Sequence, residues 1–280
     1  MSPQTSLEPA TTQREPFERG LRELGWAPGS NIVIHYRYAE GAADRLPQIA
    51  SELVRLKMDV IVARGALAIQ AARGATRTIP IVMSTAGDPV REGFVASLAR
   101  PGGNVTGLAN LNYGDIEAKR LELLKQMVPK LARVAVLSNA AAAPDPDGSI
   151  MKGIGAAARS MSLELEMFEI GKPGAIAETF EAIGRARVGA VMIRADPLVL
   201  EPNINQIVAL AVKHRLISIY PWRIYVDAGG LMSYATSIPS FHYRSAAYVD
   251  KLLKGIKPAD LPVEQPTKFE LVINRASRES

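Results

Sequence analysis

Short, almost wholly apolar runs recur along the chain, separated by stretches with apolar positions every three or four residues. The runs at residues 59–63 (DVIVA), 79–83 (IPIVM), 104–109, 133–137, 190–193 (AVMI) and 217–220 (ISIY) read as strands covered on both faces. Residues 31–38 (NIVIHYRY) alternate polar and apolar, the pattern of a half-buried strand. Residues 163–168, 231–234 and 269–273 bring the expected strands to ten. The intervening stretches predict helices at 17–24 and 43–57, one of small residues running through Thr76, and others at 91–99, 116–128, 150–161, 175–187, 203–214 and 240–254. Leu46, Ile49, Leu53 and Leu56 line one face of the second. Asp115 is placed to N-cap the helix whose stripe is Leu121, Leu124 and Val128.

Strands alternating with helices build parallel sheets covered on both faces. Ten strands are many for one sheet, so the pattern predicts two. The halves also echo each other: DVIVARG leads to IPIV much as AVMIRAD leads to ISIY. The expected architecture is α/β, two doubly wound parallel-sheet lobes with a ligand cleft lined by loops at strand ends.

Composition narrows the function classes. With 48% hydrophobic and 22% charged residues, the 280-residue chain has material for large cores. Its net charge of +5 is spread along helices rather than gathered, so nucleic acid is not an expected partner. The absence of cysteine excludes disulfides, thiolate metal sites and thiol catalysis. No apolar run reaches the length of a membrane span. The opening MSPQTSLEPATTQREP is polar and, as written, does not read as a signal peptide.

Strand-end loops hold the candidate chemistry. They are ARGAL (63–67) and STAGDP (84–89) in the first half, and SNAAAAPD (138–145), RADP (194–197) and YPWR (220–223) in the second. Asp88 and Asp196 each precede a proline, which fits a helix N-cap as well as a ligand contact. Gly65 fits a tight turn, Asn139 a turn or a contact, and Trp222 beside Tyr220 packing or recognition. Convergence of the loops favours binding: helix N-termini suit a carboxylate, an acid suits an ammonium, an aromatic suits an apolar side chain. No GxSxG elbow, P-loop or HExxH is present, and His35, His214 and His242 are scattered, so neither enzyme nor metal site is expected. Gly153 and Gly155 mimic a dinucleotide fingerprint, but they fall inside a helical pattern well past the strand, so no cofactor is expected.

GLRELGWAPGSNIVIHYRYAEGAADRLPQIASELVRLKMDVIVA, IPIVMSTAGDPVREGFVASLARPGGNVTGL, EAKRLELLKQMVP, AGGLMSY and KGIKPADLPVEQPTKFELVIN resemble the bacterial ABC-transporter substrate-binding proteins of the tryptophan/tyrosine-binding type. The resemblance spans residues 17–274. It implies a type I periplasmic-binding-protein-like fold with a multi-crossing hinge, residues 1–112 plus 237–280 forming the first lobe and 113–236 the second. It also implies a monomeric, periplasmic receptor, exported or lipid-anchored, that hands a small solute, an amino acid and by preference an aromatic one, to an inner-membrane ABC permease. Carried onto this chain, the contacts would be Gly65, Ala66, Thr85 and Asp88 from the first lobe and Asn139, Asp196, Tyr220 and Trp222 from the second. N–H groups of residues 65–67 would take the carboxylate, Asp196 the ammonium, and Tyr220 or Trp222 the side chain.

Three departures qualify that reading. Relatives begin with a signal peptide and a first strand, where this chain has polar sequence. They also continue past LVIN. Arg64 stands where relatives carry a small or neutral residue, and it fits either an acidic ligand or an outward side chain. The first lobe is therefore expected to lack its first strand. A truncated product, a misplaced start and a variant that patches the gap all stay open, as does a non-exported ligand sensor.

Overall fold

The computed structural model describes residues 13–110, 113–139, 145, 148–196, 199–265 and 267–275. In chain order these form α1 (Glu15–Glu23), α2 (Leu46–Arg55), β1 (Ile61–Arg64), α3 (Ala66–Ala75), β2 (Ile81–Ala86), β3 (Val105–Ala109) and α4 (Tyr113–Met127). Next come β4 (Arg133–Ser138), α5 (Ser149–Ser160), β5 (Glu164–Glu169), α6 (Ile176–Arg185), β6 (Ala190–Ile193), α7 (Ile204–Lys213) and β7 (Ile217–Tyr220). The chain closes with α8 (Arg223–Asp227), β8 (Met232–Ala235), α9 (Ile238–Leu253) and β9 (Glu270–Ile273).

Two compact units result: Met1–Leu111 with Ile238–Thr267, and Asn112–Ser237 with Lys268–Ser280. The first unit holds the parallel sheet β1-β2-β3. Strand β2 shows how it is packed. Ile81 and Met83 join the core under α2 and α3, with Leu46, Leu53 and Ile69. Val82 points the other way, into a cluster with Phe17 and Leu21 of α1 and Tyr248 and Val249 of α9. The β2–β3 contact requires Gly107, because a Cβ there would lie 2.3 Å from the Met83 carbonyl oxygen.

The second unit holds the sheet β5-β4-β6-β7-β8-β9, parallel except for the antiparallel β8–β9 pair. Strands β4 and β6 are interior, and Val134, Val136, Ala190 and Met192 are fully buried against Leu121 and Leu124 of α4. Helix α6 turns Ile176, Phe180 and Ile183 inward at one-turn spacing, and all three are fully buried.

Four expectations change. Residues 31–38 form no strand among the described residues. Isolated bridge positions occur instead, at Ile32, which pairs with Pro28, and at Tyr38. Residues 91–99 form turns rather than a helix: Phe94 N–H closes back on the Pro89 carbonyl, and Gly93, at φ +69°, ends the coil after one turn. Asp115 lies inside the first turn of α4 instead of capping it. The strand at 270–273, placed in the first lobe by the resemblance, pairs with β8 in the second unit. Helix α8 was hidden by its brevity. None of the described helices is long and apolar enough to cross a membrane.

Candidate functional site

In the first unit the candidate loops follow β1 and β2. A register shift between Ala63 and Arg64 sets Arg64 opposite Thr85, and the Gly65 N–H bonds the Thr85 carbonyl at 3.0 Å. Gly65 has φ +80° and ψ +155°, a conformation essentially closed to other residues, and it turns the chain directly into α3. The first N–H groups of that ten-residue helix have no side-chain cap. Gly65, Ala66, Thr85 and Asp88 all keep part of their surface accessible. Asp88 Oδ1 accepts the N–H groups of Val90 and Arg91 at 3.1 and 3.0 Å, fixing the turn after β2. Arg64 does not point outward; only 4% of it is exposed.

In the second unit the loops follow β4, β6 and β7. Asp196 is fully buried, and its Oδ2 accepts the N–H groups of Val199 and Leu200 at 3.1 and 3.0 Å. Asn139 Nδ2 adds a third bond at 3.2 Å, which ties the β4 loop to the β6 loop. The carboxylate expected at a ligand ammonium thus serves as a loop cap. Trp222 is buried and donates its indole N–H to Glu201 at 2.7 Å. Tyr220 stacks on Tyr225 with centroids 4.9 Å apart, and burial pushes its phenol up to about 12. Residues 140–144 and 197–198, parts of two expected loops, lie outside the described residues.

Sequence reasoning missed the most buried ion pair among this unit's described residues. Arg194 Nε, just after β6, bonds Glu117 Oε1 at 2.8 Å, and the two side chains are 6% and 1% exposed. Arg120 Nε reaches the Tyr234 carbonyl at 2.9 Å. The signal was present: Glu117, Leu121 and Leu124 share one stripe of α4, and a charge on an apolar stripe needs a buried partner. Among the described residues no cluster of His, Asp and Glu fits a metal ion.

Asp196→Ala is expected to cost about 2 kcal/mol in urea unfolding, because two backbone N–H groups and an amide lose their acceptor. Asp196→Asn, which keeps an acceptor oxygen, should recover at least half of that. Equal losses from both substitutions would refute the capping role.

Comparison with known proteins places this geometry. A tyrosine-binding protein of Clostridioides difficile (strain R20291) is 27% identical over 261 residues, covering 92% of this chain and 73% of that protein. The crystal structure of a conserved domain protein from Vibrio cholerae superposes with a TM-score of 0.88 at 27% identity, covering 96% of this chain and 88% of the other. An ABC domain from Streptococcus pneumonia in complex with L-Trp superposes with a TM-score of 0.86 at 24% identity, covering 98% and 91%. The fold is that of type I periplasmic-binding-protein-like proteins. The family model described as ABC transporter substrate binding protein matches residues 8–280, and the chain belongs to that family, whose members bind substrates and are not enzymes.

Proposed function

We propose that this substrate-binding protein captures a free amino acid, aromatic by preference, and delivers it to an inner-membrane ABC permease as the receptor of an importer. The observation that supports the ligand class is the 27% identity, over 92% of the chain, to a tyrosine-binding protein. The loop chemistry is compatible with it. Uncapped N–H groups at the start of α3, after Gly65 and Ala66, suit a carboxylate. Asp88, partly accessible beside Thr85, is the acid in this unit's loops that suits an ammonium. Asn139, Asp196, Tyr220 and Trp222 set the shape of the second unit's loops, and any contact they make is through surfaces left by their internal bonds.

Thermal unfolding with a panel of Tyr, Trp, Phe, Glu, Lys and simple sugars tests the reading. At one hundred times its dissociation constant a ligand adds about 2.7 kcal/mol. For a chain of this size that is a rise of ~5–10 °C in Tm. An aromatic amino acid should give that rise, and Asp88→Asn should reduce it. A cooperative melt shifted only by sugars, or by nothing in the panel, would overturn the amino-acid assignment.

A further inference from the structure

In the second unit β5, β4, β6 and β7 lie side by side and parallel, so all four begin at the same end of the sheet. A helix precedes each strand and returns the chain to that end. The short links from helix to strand therefore gather there. Arg133 opens β4, and its Nη1 bonds the Ala186 carbonyl ahead of β6 at 2.5 Å. The Gly189 N–H bonds the Arg133 carbonyl at 3.1 Å, and the Glu164 N–H, at the start of β5, bonds the Ala132 carbonyl at 2.8 Å. His214, ahead of β7, packs so closely on Gly184 of α6 that a Cβ there would lie 2.8 Å from Nδ1.

These neighbouring links carry a row of cations. Arg159 lies in the last turn of α5, Lys130 precedes β4, Arg185 and Arg187 precede β6, and Arg215 precedes β7. All are exposed, and none forms an ion pair among the described residues. The acids at this end are already engaged. Glu164 and Glu166 face Arg133 at 3.6 and 2.8 Å, and Glu181 lies 2.8 Å from Lys213 and 3.5 Å from His214. Asp115 of α4 and Glu178 of α6 sit in first turns, at the opposite end. Cations in a last turn complement the helix dipole, which accounts for Arg159 and Arg185. Arg187 and Arg215 lie beyond α6 and α7, at φ +54° and +53°, where glycine is the usual residue. A long cationic side chain there is a conformational penalty outside the reach of the dipole, so its charge calls for another reason.

We propose that this end of the second unit docks on an anionic lipid surface, with Arg187 and Arg215 meeting headgroup phosphates beside Lys130, Arg159 and Arg185. Exposed cations spread over adjoining links, about 5 Å apart per strand, suit a broad field of headgroups rather than one chelated anion. Val212, 58% exposed in the last turn of α7, is an apolar side chain placed among them for the boundary between headgroups and acyl chains. The choice of a membrane among anionic surfaces rests on the importer reading, which sets the receptor to work beside a permease. Docking by this end leaves Asn139, Asp196, Tyr220 and Trp222, at or beyond the far ends of β4, β6 and β7, facing away from the lipid. Lipid contact and solute capture therefore do not compete for the same residues of this unit.

Sedimentation of the full chain with vesicles of phosphatidylcholine and about one-third phosphatidylglycerol tests this, with pure phosphatidylcholine as the neutral reference. Binding is expected on the anionic vesicles alone and should weaken steeply as salt is added. Arg187→Gln/Arg215→Gln should lower the vesicle affinity about twentyfold. Lys152→Gln/Lys172→Gln removes the same charge from exposed positions at the opposite end, and should change it by less than about twofold. Arg187→Gly/Arg215→Gly gives a second readout: glycine suits a positive φ, so Tm should hold or rise while vesicle binding is lost. A fall in Tm with vesicle binding intact would assign both side chains to their helix ends and overturn the proposal. So would a failure to bind the anionic vesicles, equal binding to the neutral ones, or equal losses from the two glutamine pairs. Vesicle binding without any thermal shift from Tyr or Trp would count against the solute assignment and leave the docking surface standing.

Discussion

Arg194→Met is expected to destabilise the second unit by about 3–5 kcal/mol, because it strands a carboxylate that has no water to turn to. The Glu117 side chain is 1% exposed, its Oε1 bonds Arg194 Nε, and its Oε2 has no hydrogen-bond partner among the described residues. Methionine matches the length of the arginine stem and fills the space, so the loss reports charge rather than a cavity. The double variant Glu117→Leu/Arg194→Met removes both charges and should recover most of the loss, since a buried pair contributes little net stability over apolar packing. The comparison is made by urea unfolding of the four chains as a double-mutant cycle. A single-variant loss below about 1 kcal/mol would show that the carboxylate finds solvent, and would dismiss the pair as a structural clamp. The clamp bears on binding too. It fixes the end of β6 against α4 two residues before Asp196, so the single variant should also weaken the ligand-induced thermal shift.

The two-sheet α/β architecture was legible because strands buried on both faces leave dense apolar runs. Strands β1, β4, β6 and β7 fall within two residues of where AVILMF-rich runs place them. Residues 31–38 were misread for a physical reason: alternation records which side chains are covered, while a strand also needs a bonded neighbour, and that neighbour is not encoded locally. Residues 91–99 carry helical spacing, but Gly93 interrupts them and Pro101 follows close behind, and a nucleus so short gains little from one turn. Among the site residues, Gly65 was readable as a turn because few other side chains tolerate its backbone. Asp196 was not, because an Asp-Pro sequence looks the same whether its carboxylate faces a ligand or the next N–H groups. The same holds for Trp222, whose buried partner Glu201 is remote in sequence.

Acid should unfold the first unit through His242. Burial holds this imidazole down at about 3, with the nearby Arg64 guanidinium as the second cause, and it is 6% exposed with no partner for Nε2 among the described residues. The folded value lies below the unfolded one, so between about pH 6.5 and pH 3 the unfolded chain binds a proton that the folded chain refuses. Stability is therefore intact above that window and falls as pH drops through it, approaching ~1.4 kcal/mol per pH unit and a total on the order of 3–5 kcal/mol. Glu92 runs the other way: burial raises its carboxyl to about 7, so it lowers stability as pH climbs from the usual carboxylate range toward neutrality. The two slopes overlap and partly cancel, which would hide either one in the native sequence. In a Glu92→Gln background the histidine slope stands alone, and His242→Gln in that background should flatten it. Urea unfolding at about pH 7, 5.5 and 4.5 separates the three chains. If Glu92→Gln/His242→Gln loses stability on acidification as steeply as Glu92→Gln, the proton goes elsewhere, and the buried imidazole is not what makes this unit acid-sensitive.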